Sequence, residues 1–387
     1  MKTLRSGRNR RKWIYVLLLM GLLGLSGCGS PSSASVEMSS QTELVKTGSM
    51  ELQYAENFAV DYYEDGYKML TTLPDSKRYL IVPEGQPVPR GLDEDVSILQ
   101  EPLQNIYLVA SGVMDMFASV DAVDQIRFSG QKQENWYIQT AKDAMAAGDM
   151  IYAGKYSKPD YELLVSEGCD LAIENRMITH SPEVVEMLQS FDIPVMIEYS
   201  SYEQHPLGKV EWVKFFGALT GKEAEAEEAF AEQTEILEKV ESGEKTGKTI
   251  AFFYVTSNGL IQVRQSTDYI PKLIELAGGR YIFEDLEDSG SGRSTLNMQV
   301  EDFYAGAKDA DILIYNSSID GGVTTVDELI GKCNILKDFK ALQEGQVYCT
   351  TNDMYQQSMA IGYLLQDMHT VLTDDDTAKL RYLFLLQ

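Results

Sequence analysis

Short apolar segments alternate with helical patterns over most of the chain, and this alternation constrains the fold more than any other feature. The predicted strands of the first half are Tyr79–Val82, Asn105–Ala110, Gln125–Phe128, Asp170–Glu174 and Val195–Tyr199. Those of the second half are Thr249–Val255, Leu260–Arg264, Asp311–Tyr315 and Gln346–Thr350. Apolar strands that alternate with helices form mostly parallel sheets covered by helices, so the sequence predicts an α/β fold.

One helical stretch, Lys209–Ser242, interrupts the alternation, and its helical pattern is weakened only at Leu219-Thr220-Gly221. Its second part is rich in Ala, Glu and Leu, the strongest helix formers, and carries one narrow apolar stripe. A chain of about 340 ordered residues exceeds what one core usually supports. The sequence therefore predicts two Rossmann-like α/β lobes, 49–208 and 243–387, joined by one long α-helix in 209–242, with a ligand cleft between the lobes.

The first lobe opens with a Tyr-rich segment that precedes the first predicted strand. The sequence "LQYAENFAVDYYEDGYKMLTT" contains the turn signal Glu64-Asp65-Gly66. Two β-rich runs that flank such a turn predict a hairpin, which we place at a sheet edge.

The N-terminus has the order of features expected of a secreted lipoprotein. Residues 1–12 carry six basic side chains and no acid, Trp13–Leu25 is apolar, and Leu25-Ser26-Gly27 precedes Cys28. This order predicts a signal peptide over 1–27 and a lipobox whose Cys28 sulfur carries a diacylglycerol. The Ser-rich stretch up to residue 48 completes a flexible tether, 28–48. An uncleaved N-terminal anchor helix is the alternative.

The net charge limits the possible partners, and the cysteine content limits the possible disulfide bonds. Loss of the leader removes six basic residues and no acidic one, which takes the net charge from −26 to −32. Such a chain is repelled by nucleic acid and by anionic membrane surfaces, so we expect neither as a partner. The remaining cysteines, Cys169, Cys333 and Cys349, form no C-x-x-C pair. This favours free thiols, and one disulfide bond between two of them is the alternative.

Signatures of catalysis are weak. The three histidines, His180, His205 and His369, lack metal-binding spacing, and no phosphate-binding glycine motif follows a strand. The "SGSGR" segment, Ser289–Arg293, lacks the strand-to-helix context of a nucleophile elbow. We therefore expect no catalytic residue and no resident metal or cofactor. A lipid-anchored hydrolase that uses Ser291 with His205 or His369 is the alternative.

Candidate ligand-binding residues lie mostly in segments that follow the strands, because two α/β lobes bind ligands at the carboxyl ends of their strands. They are Ser111, Trp136, Tyr137, Arg176, Tyr199, Tyr202, His205, Arg264, Arg293, Tyr315, Asn316 and Tyr355. Aromatic rings beside a few Arg and Asn suit a large, flat, partly anionic ligand. The alternative is that several of these tyrosines are β-formers or lobe-packing residues.

Three motifs give the chain a family resemblance. They are "YSKPDYELLVSEGCDLAIE" (156–174), "YEQHPLGKVEWVKFFGALTGKEAEAEEAF" (202–230) and "LNMQVEDFYAGAKDADILIY" (296–315). In this order, behind a lipobox, they resemble the substrate-binding lipoproteins of ABC importers of the iron-siderophore, haem and cobalamin type, over roughly 105–372. The resemblance implies a lipid-anchored, extracytoplasmic monomer that delivers an iron chelate, haem or corrinoid to a membrane permease.

The resemblance also implies two docking residues. In the family, an acidic residue at the start of one helix in each lobe contacts the permease, and the matching positions are Glu162 and Glu301. An acid near a helix start is also favourable for the helix dipole alone. A scavenger or sensor with the same fold but no permease is the third alternative. Because a continuous connecting helix resists bending, we expect a small opening angle between the lobes.

Overall fold

The computed structural model describes residues 44–286, 294–317, 322–375 and 377–387. The signal peptide, Cys28, Ser291 and Arg293 lie outside these residues. The described chain confirms the α/β class, with three main sheets and the predicted succession of strands and helices.

A five-stranded sheet lies at the start of the first lobe. Its strands are β1 (Lys46–Ser49), β2 (Phe58–Tyr63), β3 (Lys68–Thr72), β4 (Lys77–Val82) and β5 (Val96–Gln100), in that order. The predicted hairpin is β2–β3, and Asp65 and Gly66 take positive φ angles of 57° and 84° in its turn. Its placement at a sheet edge was wrong, because β1 pairs with β2 and β4 with β3. Strand β1 also begins inside the segment predicted as tether.

The first lobe contains a parallel sheet in the order β12-β11-β6-β7-β8. Its strands are β6 (Ile106–Leu108), β7 (Ile126–Ser129), β8 (Ile151–Tyr152), β11 (Leu171–Asn175) and β12 (Val195–Glu198). The helices are α1 (Val113–Ser119), α2 (Gln139–Ala147), α3 (Tyr161–Ser166) and α4 (Pro182–Ser190), and a short ribbon joins β9 (Gly154–Lys155) to β10 (Lys158–Pro159). The strand order changes direction between β6 and β11, which creates a crevice at their carboxyl ends.

The second lobe is built on a mixed sheet in the order β16-β14-β13-β17-β18-β19, with β15 beside β13. Its strands are β13 (Thr249–Val255), β14 (Ile261–Arg264), β15 (Arg280–Tyr281), β16 (Thr295–Met298), β17 (Ile312–Tyr315), β18 (Val347–Thr350) and β19 (Leu383–Leu385). Its helices are α7 (Tyr269–Leu276), α8 (Val300–Ala307), α9 (Val326–Lys332), α10 (Lys340–Gln343) and α11 (Ile361–Thr373). Strands β13, β17 and β18 run parallel and form its centre.

The connecting segment is two helices where the sequence predicts one. Helix α5 (Pro206–Thr220) ends at Gly221, whose φ of 72° is left-handed, and α6 (Glu223–Glu241) folds back along it. The two helices touch closely, since a Cβ on Gly217 would lie 2.5 Å from the Cβ of Ala226. Helix α5 is buried from 206 to 219 and needs cover on every side, whereas α6 buries only a stripe.

The two lobes share one apolar core. A single cluster of buried side chains includes Phe58 of the first sheet, Leu108 of the first lobe, Trp212 of α5, Phe230 of α6 and Ile250 of the second lobe. Helices α5 and α6 both contact α1 on one side and α7 and α11 on the other. Because separating the lobes would expose this shared core, the structure favours a small opening angle.

Two further features concern the described residues only. None of their helices combines the length and the apolar character needed to cross a membrane. Cys169, Cys333 and Cys349 form no disulfide bond with one another, as favoured from the sequence, with Cys169 half-buried and the other two buried.

Candidate functional site

The candidate site lies at the crevice between β6 and β11, where it meets the second lobe. Ser111 and Gly112 follow β6, and Arg176 follows β11. These residues line a cavity of about 290 Å³, whose opposite wall includes Tyr355 and Ser358 of the second lobe. The parallel sheet thus brings together Ser111 and Arg176, which are 65 residues apart in the sequence, as expected for a topological switch point.

An aromatic and cationic wall lies on the first-lobe side of the cavity. The Arg176 guanidinium lies 4.5 Å from the centre of the Tyr202 ring, a cation–π contact. Tyr199 stands behind Tyr202 in an edge-to-face contact, with ring centres 6.5 Å apart, and is itself buried. The strand end of β12 therefore supplies one ring that faces the cavity and a second ring that supports it.

The second-lobe wall is organised around the Tyr355 hydroxyl. This hydroxyl accepts hydrogen bonds from Asn316 Nδ2, at 2.9 Å, and from Arg264 Nη2. Arg264 Nη1 also pairs with an oxygen of buried Asp268 at 3.3 Å. Arg264 and Asn316 thus act on the cavity through Tyr355, which alone of the three lines it.

Two charged residues of the cavity were missed from the sequence. Lys209, in the first turn of α5, and Glu198, at the end of β12, both line it. Burial lowers the pKa of Lys209 and raises the pKa of Glu198. The available signal was a lysine inside the segment "PLGKVEWV", which is apolar except for Lys209 and Glu211 and in which an unpaired charge is costly.

Direct hydrogen bonds join the lobes around the site. The backbone N–H of Met359 donates to Asp115 Oδ2 at 2.7 Å. The Gln356 amide accepts from the Tyr137 N–H at 2.9 Å and donates to the Asn135 carbonyl at 2.8 Å. Burial raises the pKa of Asp115 to about 6. Tyr137 therefore lies at the junction of the two lobes with its ring half-exposed.

Three predicted ligand-binding residues lie elsewhere. Trp136 is fully buried and donates from Nε1 to Ser129 Oγ at 3.0 Å, and Tyr315 is fully buried in the core of the second lobe. Neither has a surface to offer a ligand. His205 caps α5 by accepting from the Leu207 N–H, stacks on Tyr54 at 4.5 Å and lines a separate cavity of about 380 Å³.

The two expected docking residues are exposed, and each lies in the first turn of a helix. Glu162 is in α3 of the first lobe and Glu301 is in α8 of the second. The positions suit contact with a partner, and their role in docking stays a prediction.

The structural surroundings of the histidines do not favour the hydrolase alternative. His369 Nδ1 lies 2.9 Å from the Ala277 carbonyl oxygen, inside the second lobe, and His205 caps a helix. The described residues contain no group of three or more His, Cys, Asp or Glu placed to hold a metal ion.

The fold is that of two-lobe periplasmic solute-binding proteins. No protein-family model matches the chain. Among solved structures, it resembles a possible iron-binding (periplasmic solute-binding) protein of Staphylococcus epidermidis, with 16% identity, a TM-score of 0.54, and coverage of 70% of this chain and 98% of the other. It also resembles the periplasmic haem-binding protein of Vibrio cholerae (14% identity, TM-score 0.55, coverage 69% and 98%). A third similar structure is the periplasmic catecholate-siderophore-binding protein of Vibrio cholerae, with 11% identity, a TM-score of 0.53, and coverage of 72% of this chain and 95% of the other.

Two curated relatives are uncharacterised lipoproteins of Methanocaldococcus jannaschii. One is 24% identical and the match covers 93% of this chain and 92% of the relative; the other is 23% identical, with coverage of 89% and 90%. The structural neighbours are solute-binding proteins rather than enzymes, and the fold predicted from the resemblance is confirmed.

Proposed function

We propose that the protein is an extracytoplasmic solute-binding lipoprotein that captures an iron complex or a similar large chelate and delivers it to an ABC permease. The single observation that carries the proposal is the cavity at the β6–β11 switch point, which residues of both lobes line. A site shared by two lobes is typical of a binding protein that encloses its ligand.

The side chains of the cavity support an anionic, partly aromatic ligand. Arg176 and Lys209 supply positive charge, and Tyr202 and Tyr355 supply ring surface and hydroxyl groups. Ferric siderophores and haem combine flat unsaturated groups with negative charge, and cobalamin offers a comparable flat macrocycle. The haem- and siderophore-binding neighbours support the same class of ligand.

The sequence before residue 44 supports the location. A lipid on Cys28 would hold the protein to the outer face of the cell membrane, through a tether of roughly twenty residues. A flexible chain of that length spans about 25 Å. This distance would keep Glu162 and Glu301 within reach of a permease in the same membrane.

Ligand capture is tested by absorbance and fluorescence measurements on the purified protein. We expect a ligand retained from the host to give a visible absorbance band, and added haem, cyanocobalamin or a ferric siderophore to quench tryptophan fluorescence. Arg176→Gln should weaken binding at least tenfold, because it removes a charge from the cavity wall. The matched control is Arg127→Gln, which removes a surface arginine that pairs with Glu167. If no chelate binds to the wild-type protein, the proposed ligand class is wrong.

Delivery is tested separately from capture. We expect the double variant Glu162→Arg, Glu301→Arg to abolish uptake into cells while its affinity for the ligand stays unchanged. Glu183→Arg is the matched control, since Glu183 is an exposed acid in the first turn of α4. Normal uptake in the double variant would contradict docking through these residues and would favour the scavenger or sensor alternative.

A further inference from the structure

Lys209 is a buried cation that lines the cavity between the lobes. Only 3% of its surface is exposed, and its Nζ lies 4.8 Å from the centre of the Tyr269 ring in the second lobe. No acidic side chain of the described residues forms an ion pair with it. A buried ammonium group without a counter-ion is destabilising, so its position calls for a further partner.

The acids whose charges act on Lys209 are Glu198, Asp268 and Asp115, and each already has another partner. Glu198 Oε2 accepts hydrogen bonds from the Ser200 N–H at 2.9 Å and the Ser200 hydroxyl at 2.6 Å. Asp268 is paired with Arg264 and caps α7. Asp115 accepts from the Met359 N–H. The protein therefore surrounds Lys209 with negative charge at a distance but leaves its ammonium group without a direct acidic contact.

Ser358 is a second unsatisfied group in the same cavity. Its side-chain oxygen is buried and has no hydrogen-bond partner among the described residues. A buried hydroxyl without a hydrogen-bond partner is destabilising. Gly112 lies against it, since a Cβ on Gly112 would be 2.9 Å from this oxygen. An unpaired cation and an unpaired hydroxyl thus line one small cavity, and a single acceptor could satisfy both.

We propose that this cavity binds a carboxylate substituent of the ligand, with Lys209 as its ion-pair partner and Ser358 as a hydrogen-bond donor. The inference rests on the proposed function and adds the chemical group that the site selects. The lining carries two cationic side chains and one acidic side chain, which matches one negative charge. A cavity of about 290 Å³ holds one arm of a large chelate, while the rest of the ligand lies outside it.

The experiment compares ligands that differ only in the carboxylate. Haem is compared with its dimethyl ester, and a cobalamin monocarboxylic acid with cobalamin, whose side arms are amides. Affinities are measured by fluorescence quenching on wild-type protein, Lys209→Met and Lys209→Arg. Lys214→Met is the matched control, because Lys214 is a buried lysine of the same helix that pairs with Glu227 and does not line the cavity. Melting temperatures confirm that each variant is folded.

We expect wild-type protein to bind the acid of at least one pair at least tenfold more tightly than its neutral counterpart. Lys209→Met should reduce this preference to less than twofold, and Lys209→Arg and Lys214→Met should keep it. If chelates bind but acid and neutral forms bind equally, or if the preference survives in Lys209→Met, the inference is overturned and the proposed function stands.

A measurement without a chelate tests the inference in the case that none of the chelates binds. If none of these chelates binds, the proposed ligand class fails, and propionate then tests the carboxylate site by itself. A rise in melting temperature with propionate, relative to chloride at equal ionic strength, in wild type but not in Lys209→Met supports the inference. The same response in both proteins overturns it.

Discussion

Glu211, a fully buried residue of α5, fixes the chain just before β2 to the body of the protein. Its carboxylate accepts hydrogen bonds from the backbone N–H groups of Gln53 (2.9 and 3.1 Å), Tyr54 (2.8 Å) and Ala55 (2.9 Å). We predict that Glu211→Ala detaches this segment and lowers the free energy of unfolding substantially.

The expected magnitude follows from the contacts. A hydrogen bond to a charged group is worth about 1.5–3 kcal/mol, but three donors that share one carboxylate do not add in full. Gln53 is exposed and Tyr54 is only partly buried, so water can replace part of what they lose, whereas the Ala55 N–H is buried. Lys214 Nζ lies 3.6 Å from Glu211 Oε1 and loses this contact, but it keeps its pairing with Glu227 at 2.9 Å. We therefore expect a loss of about 3–5 kcal/mol, and about half of that for Glu211→Gln, which keeps one acceptor oxygen.

Denaturant unfolding monitored by circular dichroism measures this loss, and hydrogen exchange at residues 53–55 shows whether it is local. The control is Glu227→Ala, an exposed partner of Lys214, which should cost under about 1 kcal/mol. A loss below 1 kcal/mol in Glu211→Ala, with unchanged protection of these amides, would refute the reasoning.

Three further predictions concern pH, packing and motion. Burial raises the pKa of Glu174 to about 8, so the folded state holds its proton more tightly than the unfolded state and stability falls as pH rises toward 8. Relative to Glu174→Gln, the wild-type free energy of unfolding should fall by on the order of 3 kcal/mol between pH 5 and pH 8. Parallel pH profiles of the two proteins would contradict a raised pKa of Glu174. Gly112→Ala should lower the melting temperature and weaken ligand binding, because its Cβ meets the second lobe, whereas Gly331→Ala, with open space around it, should change neither. Small-angle scattering should show little change in radius of gyration on ligand binding, since the lobes share a core, and a decrease of several ångströms would contradict this.

Local patterns in the sequence predicted most of the elements. The bounds of β13 match the strand predicted from its apolar run, Thr249–Val255. The β2–β3 hairpin follows from its turn residues. These features could be predicted because strand and helix periodicity, turn chemistry and helix starts depend on neighbours within a few positions.

The site could be predicted only in part. Ser111, Arg176, Tyr202 and Tyr355 line the cavity, since a residue that follows a parallel strand reaches the carboxyl edge of the sheet. Position after a strand does not decide whether a ring faces the cleft or the core. Trp136 also follows a strand, yet other elements cover it completely.

The sequence by itself determined the alternation of strands and helices, the two-lobe α/β fold and the strand ends at which the candidate cavity lies, because each depends on short-range periodicity and on strand direction. Only the tertiary structure decided that 209–242 folds back as two helices, and that Lys209 and Ser358 meet in one cavity. The physical reason is that burial and pairing depend on which distant segments cover a side chain. Lys209 and Ser358 are far apart along the chain, and no local pattern records that they share a cavity.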